Sequence, residues 1–294
     1  MKPWQSIPKS LIQPIAKKIS RSLRLFMAAL LATTLAITLT PKAVSAISWW
    51  DLIRAAPAAI QVIQISSLSD ADEVKLGANI DRQIGQEVRY SRDPMANELV
   101  RSIGEELVPY SDRPNIPYTF RAVDDDSINA FATMGGFVYI NTGLIATADN
   151  RAQLASVIGH EIGHITGKHA LEQIKQASIA QGVASIAGVD DNRLVQIGAA
   201  VALQLPNSRE AEYDADRRGL FNLVKAGYAP QAMPNFMQKL VNKSNGAPPQ
   251  FLSTHPAPVE RVRNLNEMIR QNNLVADRGL NDSNYQRRWR NRFN

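Results

Sequence analysis

Cysteine is absent from this chain of 294 residues, and histidine occurs only four times. The absence of cysteine excludes disulfide bonds, a cysteine nucleophile and a lipid-modified cysteine. It also excludes thiolate ligands, so any metal site must use nitrogen and oxygen atoms. An exported protein without cysteine is unconstrained by redox conditions, which suits a bacterial envelope compartment.

Acidic residues are absent from residues 1–46, which carry seven of the 33 lysines and arginines. A largely apolar run, Leu25–Leu39, follows the basic start and is short for a membrane span, which needs about 20 residues. Small residues at Val44 and Ala46 complete the pattern of a secretory signal peptide, so we predict cleavage after Ala46 rather than a retained anchor. The remaining chain has 26 basic and 27 acidic residues, so we predict no nucleic-acid partner.

Beyond residue 46 we predict three parts. Residues 47–67 are apolar and begin near two tryptophans, which predicts a helix that either packs on the folded domain or contacts a membrane surface. Residues 68–271 carry most of the periodic patterns and are predicted to form one domain. Residues 272–294 are basic and are predicted to be a flexible tail.

Strand patterns are confined to a short part of the predicted domain, and helical patterns fill the rest. Residues 118–123 alternate with β-forming side chains, and a Gly135-Gly136 pair between two apolar runs predicts a hairpin. A helix is predicted to begin at Asn150 and another at Ser208. The sequence therefore predicts an α+β fold that is mostly α, with a small sheet just before the helix at Asn150.

Three of the four histidines lie within ten residues, and two of them form the H-E-x-x-H motif His160-Glu161-Ile162-Gly163-His164. On a helix, His160 and His164 lie about 40° apart around the axis, so both can bind one metal ion. Glu161 is turned away by about 100° and can act as a general base. Because a chance match is rare in a chain so poor in histidine, the motif predicts one Zn²⁺ per chain.

A catalytic zinc ion needs a third protein ligand, and two candidates exist. The metzincin pattern requires histidine at position 170, which is Ala170. His169 is offset by about 100° on a helix, so we predict that it is solvated. Glu212 and Asp216 are spaced i, i+4 and share a helix face. We predict that Glu212 binds the zinc ion and that Asp216 accepts the distal N–H of a histidine ligand.

These motifs in this order resemble metallopeptidase family forty-eight, a gluzincin family. The resemblance covers about residues 68–270 and includes further segments. They are residues 129–132, residues 136–144, residues 208–216, and Thr254-His255-Pro256 with Arg261. The resemblance implies a zincin-like (gluzincin) metalloprotease domain. It is strongest to the soluble exported branch of the family, without the tetratricopeptide repeats that some periplasmic members carry.

The resemblance implies a zinc-dependent endopeptidase of the periplasm or cell envelope that hydrolyses unfolded or misassembled polypeptides. It implies that His255 either stabilises the oxyanion or binds the zinc ion as a fourth ligand in a latent state. It also implies an edge strand that accepts an extended substrate by strand addition. The residues of this strand are Gly136, Phe137, Val138, Tyr139, Ile140 and Asn141. The alternative function is a zinc-stabilised chaperone or assembly factor with little turnover, against which the intact Glu161 argues.

Overall fold

A computed structural model describes residues 68–180, 191–243, 248–282, 284–290 and 292 of the chain. The predicted signal peptide and the predicted helix over residues 47–67 lie outside the described residues. In the part of the chain that the model covers, no helix is both long enough and apolar enough to cross a membrane.

Helices dominate the described residues, as the sequence predicts, and the strands fall in one short segment. The helices are α1 Asp70–Glu87, α2 Pro94–Leu107, α3 Thr142–Thr147, α4 Arg151–Thr166, α5 His169–Ala180, α6 Asp191–Gln204, α7 Arg209–Lys225, α8 Ala232–Lys243, α9 Gln250–Thr254, α10 Pro258–Gln271 and α11 Tyr285–Arg290. The strands are β1 Thr119–Val123, β2 Ala130–Thr133 and β3 Phe137–Asn141. The predicted α+β fold with a small sheet before the motif helix, α4, is therefore confirmed.

The three strands form one sheet in the order β1-β3-β2. The predicted hairpin is present, because β2 and β3 are antiparallel and Thr133 pairs with Phe137. Strand β1 runs parallel to β3 on its other side. The prediction that residues 136–141 form an edge strand is therefore wrong, since β3 is hydrogen-bonded along both sides and Gly136 belongs to the turn. Strand β2 lies at the edge of the sheet instead.

The sheet separates two hydrophobic clusters. Val138 and Ile140 of β3 are fully buried and join the larger cluster, which contains residues of α2, α4 and α8. Tyr139 between them faces the second cluster, with residues of α1, α5 and α6. This alternation follows from the period of two along a strand. As a result, α4 lies against one face of the sheet and is buried on every side, from Ala152 to Thr166.

The backbones of α4 and α7 lie in near contact. A Cβ atom added to Gly163 would lie only 2.5 Å from the carbonyl oxygen of Ala215. Both helices begin where predicted. The side chain of Asn150 accepts the N–H of Gln153 at the start of α4, and Ser208 caps α7 in the same way. The close approach brings the histidines of α4 beside the acidic face of α7.

The prediction of a flexible tail over residues 272–294 is wrong for α11, which packs against the core. Within α11, the side chains of Tyr285 and Trp289 are only 2% and 3% exposed. The Tyr285 hydroxyl donates a hydrogen bond of 3.1 Å to the carbonyl oxygen of Ile145. The arginines around these two residues gave the segment its polar composition, while the aromatic side chains anchor it to the core.

The contact between α4 and α7 predicts that Gly163→Ala destabilises the protein by about 1–3 kcal/mol, because the new methyl group overpacks the interface. This loss should exceed the gain of about 1 kcal/mol in helix propensity. The measurement is urea unfolding. The matched control is Gly85→Ala in α1, whose Cβ would meet only the ring of Tyr90 at 3.1 Å. A Gly163→Ala protein as stable as the control would contradict the packing argument.

Candidate metal centre

Four buried side chains bring one donor atom each to a common point. They are His160 and His164 from α4, Glu212 from α7 and His255 from the end of α9. The four donor atoms all lie within 4.8 Å of one another. The sequence spacing of 160, 164 and 212 thus corresponds to three side chains that the fold brings together.

The spacing of these donors fits a metal ion. His160 Nε2 lies 3.0 Å from His164 Nε2 and 3.3 Å from His255 Nδ1. Glu212 Oε1 lies 3.3 Å from His164 Nε2 and 3.1 Å from His255 Nδ1. In a tetrahedral site with bonds of about 2.0–2.1 Å, neighbouring ligand atoms are about 3.3 Å apart. The group could therefore hold one ion between three nitrogen atoms and one carboxylate oxygen.

Asp216 and Arg261 support one side of this centre. Asp216 Oδ1 lies 2.9 Å from His160 Nδ1, the nitrogen that points away from the other donors. Arg261 of α10 is 1% exposed and donates two hydrogen bonds of 2.7 Å to the Asp216 carboxylate. Its Nη1 also pairs with Glu212. Arg261 is therefore the cation that permits two carboxylates to be buried side by side.

His169 supports the other side of the centre, and the prediction that it is solvated is wrong. Its side chain is 13% exposed, and its Nδ1 lies 2.9 Å from His164 Nδ1. The other ring nitrogen of His169, Nε2, lies 3.3 Å from Asp214 Oδ2. His169 faces away from the four donor atoms, so it contacts a donor residue without joining the donor group.

Glu161 lies beside the donors and is 1% exposed. Within the residues that the structure describes, its Oε1 atom is buried and has no hydrogen-bond partner. Its Oε1 atom lies 3.7 Å from His255 Nε2. Burial raises the pKa of Glu161 above its ordinary value. An unpartnered carboxylate with a raised pKa is suited to accept and release a proton.

His255 is the fourth donor residue and also contacts the sheet. Its ring stacks on Phe251 with centroids 4.2 Å apart. Its Nε2 atom lies 3.4 Å from the carbonyl oxygen of Ala130 in β2. His255 therefore lies between the donor group and the edge strand, beside Glu161.

The protonation states of the donors follow from their surroundings. Burial lowers the pKa of His164 to about 3, so this imidazole keeps a lone pair for a metal ion at neutral pH. Burial and the charge of Arg261 act to lower the pKa of His160, but hydrogen bonds to Asp216 and Glu212 raise it to about 9. Burial acts to raise the pKa of Glu212, but His255 and Arg261 hold it well below its usual range.

A cavity opens beside Glu161 and His164. Its lining is mixed: Phe131 of β2, Leu171 of α5 and Val201 of α6 are apolar, while Lys168 and Asn207 are polar. Strand β2 therefore contributes to the same space as the predicted general base.

Comparison with known sequence families matches residues 94–269 to peptidase family M48. This match covers more than half of the chain and includes all four donor residues. The chain belongs to peptidase family M48. The resemblance that the motifs indicated is confirmed, and the fold is zincin-like. Members of the M48 family are metallopeptidases, which agrees with a donor group that could bind a metal ion.

Individual members of the M48 family show how much of the chain is shared. A putative beta-barrel assembly-enhancing protease of Vibrio cholerae is 32% identical over 222 residues, which cover 70% of this chain and 46% of that protein. The beta-barrel assembly-enhancing protease of Escherichia coli K12 is 31% identical over 221 residues, covering 70% of this chain and 45% of its own length. The mitochondrial metalloendopeptidase OMA1 of Arabidopsis thaliana is 35% identical over 153 residues, covering 51% and 31%. The chain thus spans less than half the length of these relatives.

Sequence reasoning missed part of this M48 site. Arg261 was indicated only by the family resemblance, and no contact was predicted for it. His169 was considered only as a metal ligand, so its proximity to His164 was not used. Asp214 lies between Glu212 and Asp216 in the sequence but on a different face of the helix. The i, i+4 spacing therefore does not indicate it. Each of these roles depends on contacts between helices, which spacing along one helix does not report.

The buried ion pairs predict that Arg261→Met destabilises the protein by about 3–5 kcal/mol, because two buried carboxylates lose their cation. Unfolding by urea in the presence of a chelator measures this effect without any contribution from a metal ion. The control is Arg263→Met on the same helix, which is exposed and should change stability by less than about 0.5 kcal/mol. Equal stability of the two variants would contradict the proposed role of Arg261.

Proposed function

We propose that this protein is a zinc-dependent endopeptidase of the cell envelope that hydrolyses peptide bonds in unfolded or misassembled proteins. The observation that carries the proposal is the position of Glu161. Among the described residues, its Oε1 atom is buried without a hydrogen-bond partner beside four converging donors. A protein that used the metal ion only for stability would have no need of a proton acceptor at this point.

Zinc suits the donor group for two reasons. The donors are imidazole nitrogens and one carboxylate at tetrahedral spacing, and this ligand set is common in catalytic zinc sites. The surrounding charges also call for a cation. Glu161, Glu212 and Asp216 are buried with a single guanidinium, that of Arg261. If all four are ionised, a divalent ion compensates the two remaining negative charges.

His160, His164 and Glu212 would hold the ion, which supplies Lewis acidity for attack on the scissile carbonyl. Glu161 would accept a proton from the attacking water at Oε1 and then donate it to the leaving amine. Asp216 would hold His160 by accepting its distal N–H. Each of these roles uses a side chain that is buried in the described structure, so bulk water does not compete with the contacts.

The substrate strand is proposed to bind at β2 rather than at residues 136–141. Strand β2 is at the sheet edge, and its Phe131 and Thr133 line the cavity beside Glu161. Backbone hydrogen bonds to an edge strand require an extended chain but no particular sequence. Binding of this kind supports activity on unfolded polypeptides.

The cellular place of this activity is also a proposal. The signal-peptide pattern in residues 1–46 supports export. Two relatives are named as beta-barrel assembly-enhancing proteases, which supports a role in the quality control of envelope proteins. Because this chain spans less than half of those relatives, their other functions are not carried over.

A second candidate function is a zinc-stabilised chaperone or assembly factor with little proteolytic turnover. The observation that favours it is His255, whose Nδ1 completes a group of four donors. Structural zinc sites have four protein ligands, whereas catalytic sites keep one position open. The two candidates differ in what happens when His255 is removed.

A matched pair of substitutions tests the assignment of the two glutamates. Glu161→Gln should keep zinc affinity but lower the rate of casein cleavage by at least about 100-fold, because the general base is lost. Glu212→Gln should lose both zinc affinity and cleavage, because a charged ligand is replaced by an amide. Zinc affinity is measured by competition with a chelating dye, and cleavage with and without a chelator.

The wild-type protein is the reference for both measurements. Chelator-resistant cleavage would contradict metal-dependent hydrolysis. Retained cleavage in Glu161→Gln would remove Glu161 from the mechanism. A wild-type protein that binds zinc but never cleaves casein, even after His255 is replaced, would favour the assembly factor.

The two possible roles of His255 predict opposite effects of its removal on the cleavage rate. If His255 is a latency ligand, His255→Ala should raise the cleavage rate, because one metal position becomes free. If His255 stabilises the oxyanion, the same substitution should lower the rate by about 100-fold or more. The measurement is the initial rate of casein cleavage at saturating zinc. Unfolding in chelator serves as the control that both proteins are folded.

A further inference from the structure

The two histidine donors of α4 make different contacts through Nδ1, the ring nitrogen that faces away from the donor group. His160 contacts a carboxylate directly, through Asp216. His164 contacts a second imidazole, that of His169, with 2.9 Å between the two Nδ1 atoms. His169 in turn lies 3.3 Å from the Asp214 carboxylate through its Nε2. The chain His164–His169–Asp214 therefore continues away from the donor group.

When His164 binds a metal ion, only one placement of protons is consistent with the contacts among His164, His169 and Asp214. Binding through Nε2 leaves the proton of neutral His164 on Nδ1, which must then donate. His169 Nδ1 must accept that hydrogen bond, so the proton of neutral His169 is on Nε2. That N–H points at Asp214, which accepts it.

We propose that His169 and Asp214 are positioning residues that fix the tautomer and the ring orientation of His164 for metal binding. This inference rests on the proposed metal site. Both residues act through His164, because neither belongs to the group of four donors. The role is the counterpart of the one that Asp216 fills for His160.

The local backbone is built around this pair. A Cβ atom at Gly167 would lie 2.4 Å from His169 Nε2 and 3.0 Å from Asp214 Oδ2. Any larger residue at position 167 would therefore meet the contact between the two side chains. Lys168 has a φ of 56°, a left-handed conformation that ends α4 and lets α5 begin at His169. The turn thereby directs the His169 ring back toward His164 instead of along the axis of α4.

Asp214 is itself held in place from the other side. Arg217 donates a hydrogen bond of 2.7 Å to its Oδ1, and Arg218 pairs with its Oδ2. Arg218 also reaches Asp112, with 2.6 Å between Nη1 and Oδ2. These contacts fix the carboxylate, so the orientation of His169 is set by groups that lie outside the metal centre.

Substitutions at His169 test the proposal by zinc affinity, without reference to cleavage. His169→Ala should lower the affinity for Zn²⁺ by about 10–100-fold, the usual loss when the partner of a histidine ligand is removed. His169→Asn should recover most of that loss, because an amide oxygen can occupy the position of Nδ1 and accept from His164. The full chain is titrated with Zn²⁺ against a chelating dye. Gln176→Ala, an exposed change on the same helix, is the matched control.

Thermal unfolding in chelator separates positioning from loss of structure. The proposal expects all three variants to unfold at the wild-type temperature without metal, and only His169→Ala to bind Zn²⁺ weakly. It is overturned if His169→Ala binds Zn²⁺ as tightly as the wild-type protein. It is also overturned if His169→Asn binds as weakly as His169→Ala, or if the loss follows a lower unfolding temperature. A wild-type protein that does not bind Zn²⁺ overturns the proposed function as well.

Discussion

The near contact of α4 and α7 is the constraint on which the metal centre depends. Neither helix carries the centre alone, because α4 provides His160 and His164, whereas α7 provides Glu212 and Asp216. Without a side chain at Gly163, the two backbones approach until a Cβ there would lie 2.5 Å from a carbonyl oxygen. At this separation, short acidic side chains reach the imidazoles of the neighbouring helix. A wider gap would leave the same residues buried but unpaired, which is costly.

Burying Glu161, Glu212, Asp216 and Arg261 together costs free energy that other contacts must offset. A buried ion pair gains stability only if its geometry is good and its other polar atoms are satisfied. Arg261 meets this condition by contacting Asp216 through two nitrogens and Glu212 through a third. It neutralises only part of the acidic charge. Arg261 therefore offsets part of the cost of burying the carboxylates of Glu212 and Asp216.

Periodicity along single helices was enough to predict much of this arrangement. The i, i+4 spacing pairs His160 with His164 and Glu212 with Asp216, each within one helix, and the family resemblance links the two pairs, which the fold brings together. The errors arose where packing between elements decides the outcome. Strand β3 is central because it also pairs in parallel with β1. A local hairpin signal does not indicate this second partner. Helix α11 packs through Tyr285 and Trp289, although the arginines around them make its composition polar.

Helix α7 contacts the surroundings of both histidine donors of α4, because its acidic residues point in different directions. Glu212 and Asp216 lie on one face, toward His160 and Arg261. Asp214 is turned from Glu212 by about 200° around the axis, so it cannot reach the donor group. It reaches His169 instead, which the turn after α4 has placed behind His164. The acids of α7 are thus divided between a member of the donor group, Glu212, a direct contact of His160, Asp216, and a contact of His169, Asp214. The geometry of the centre follows from where α7 lies relative to both ends of the motif.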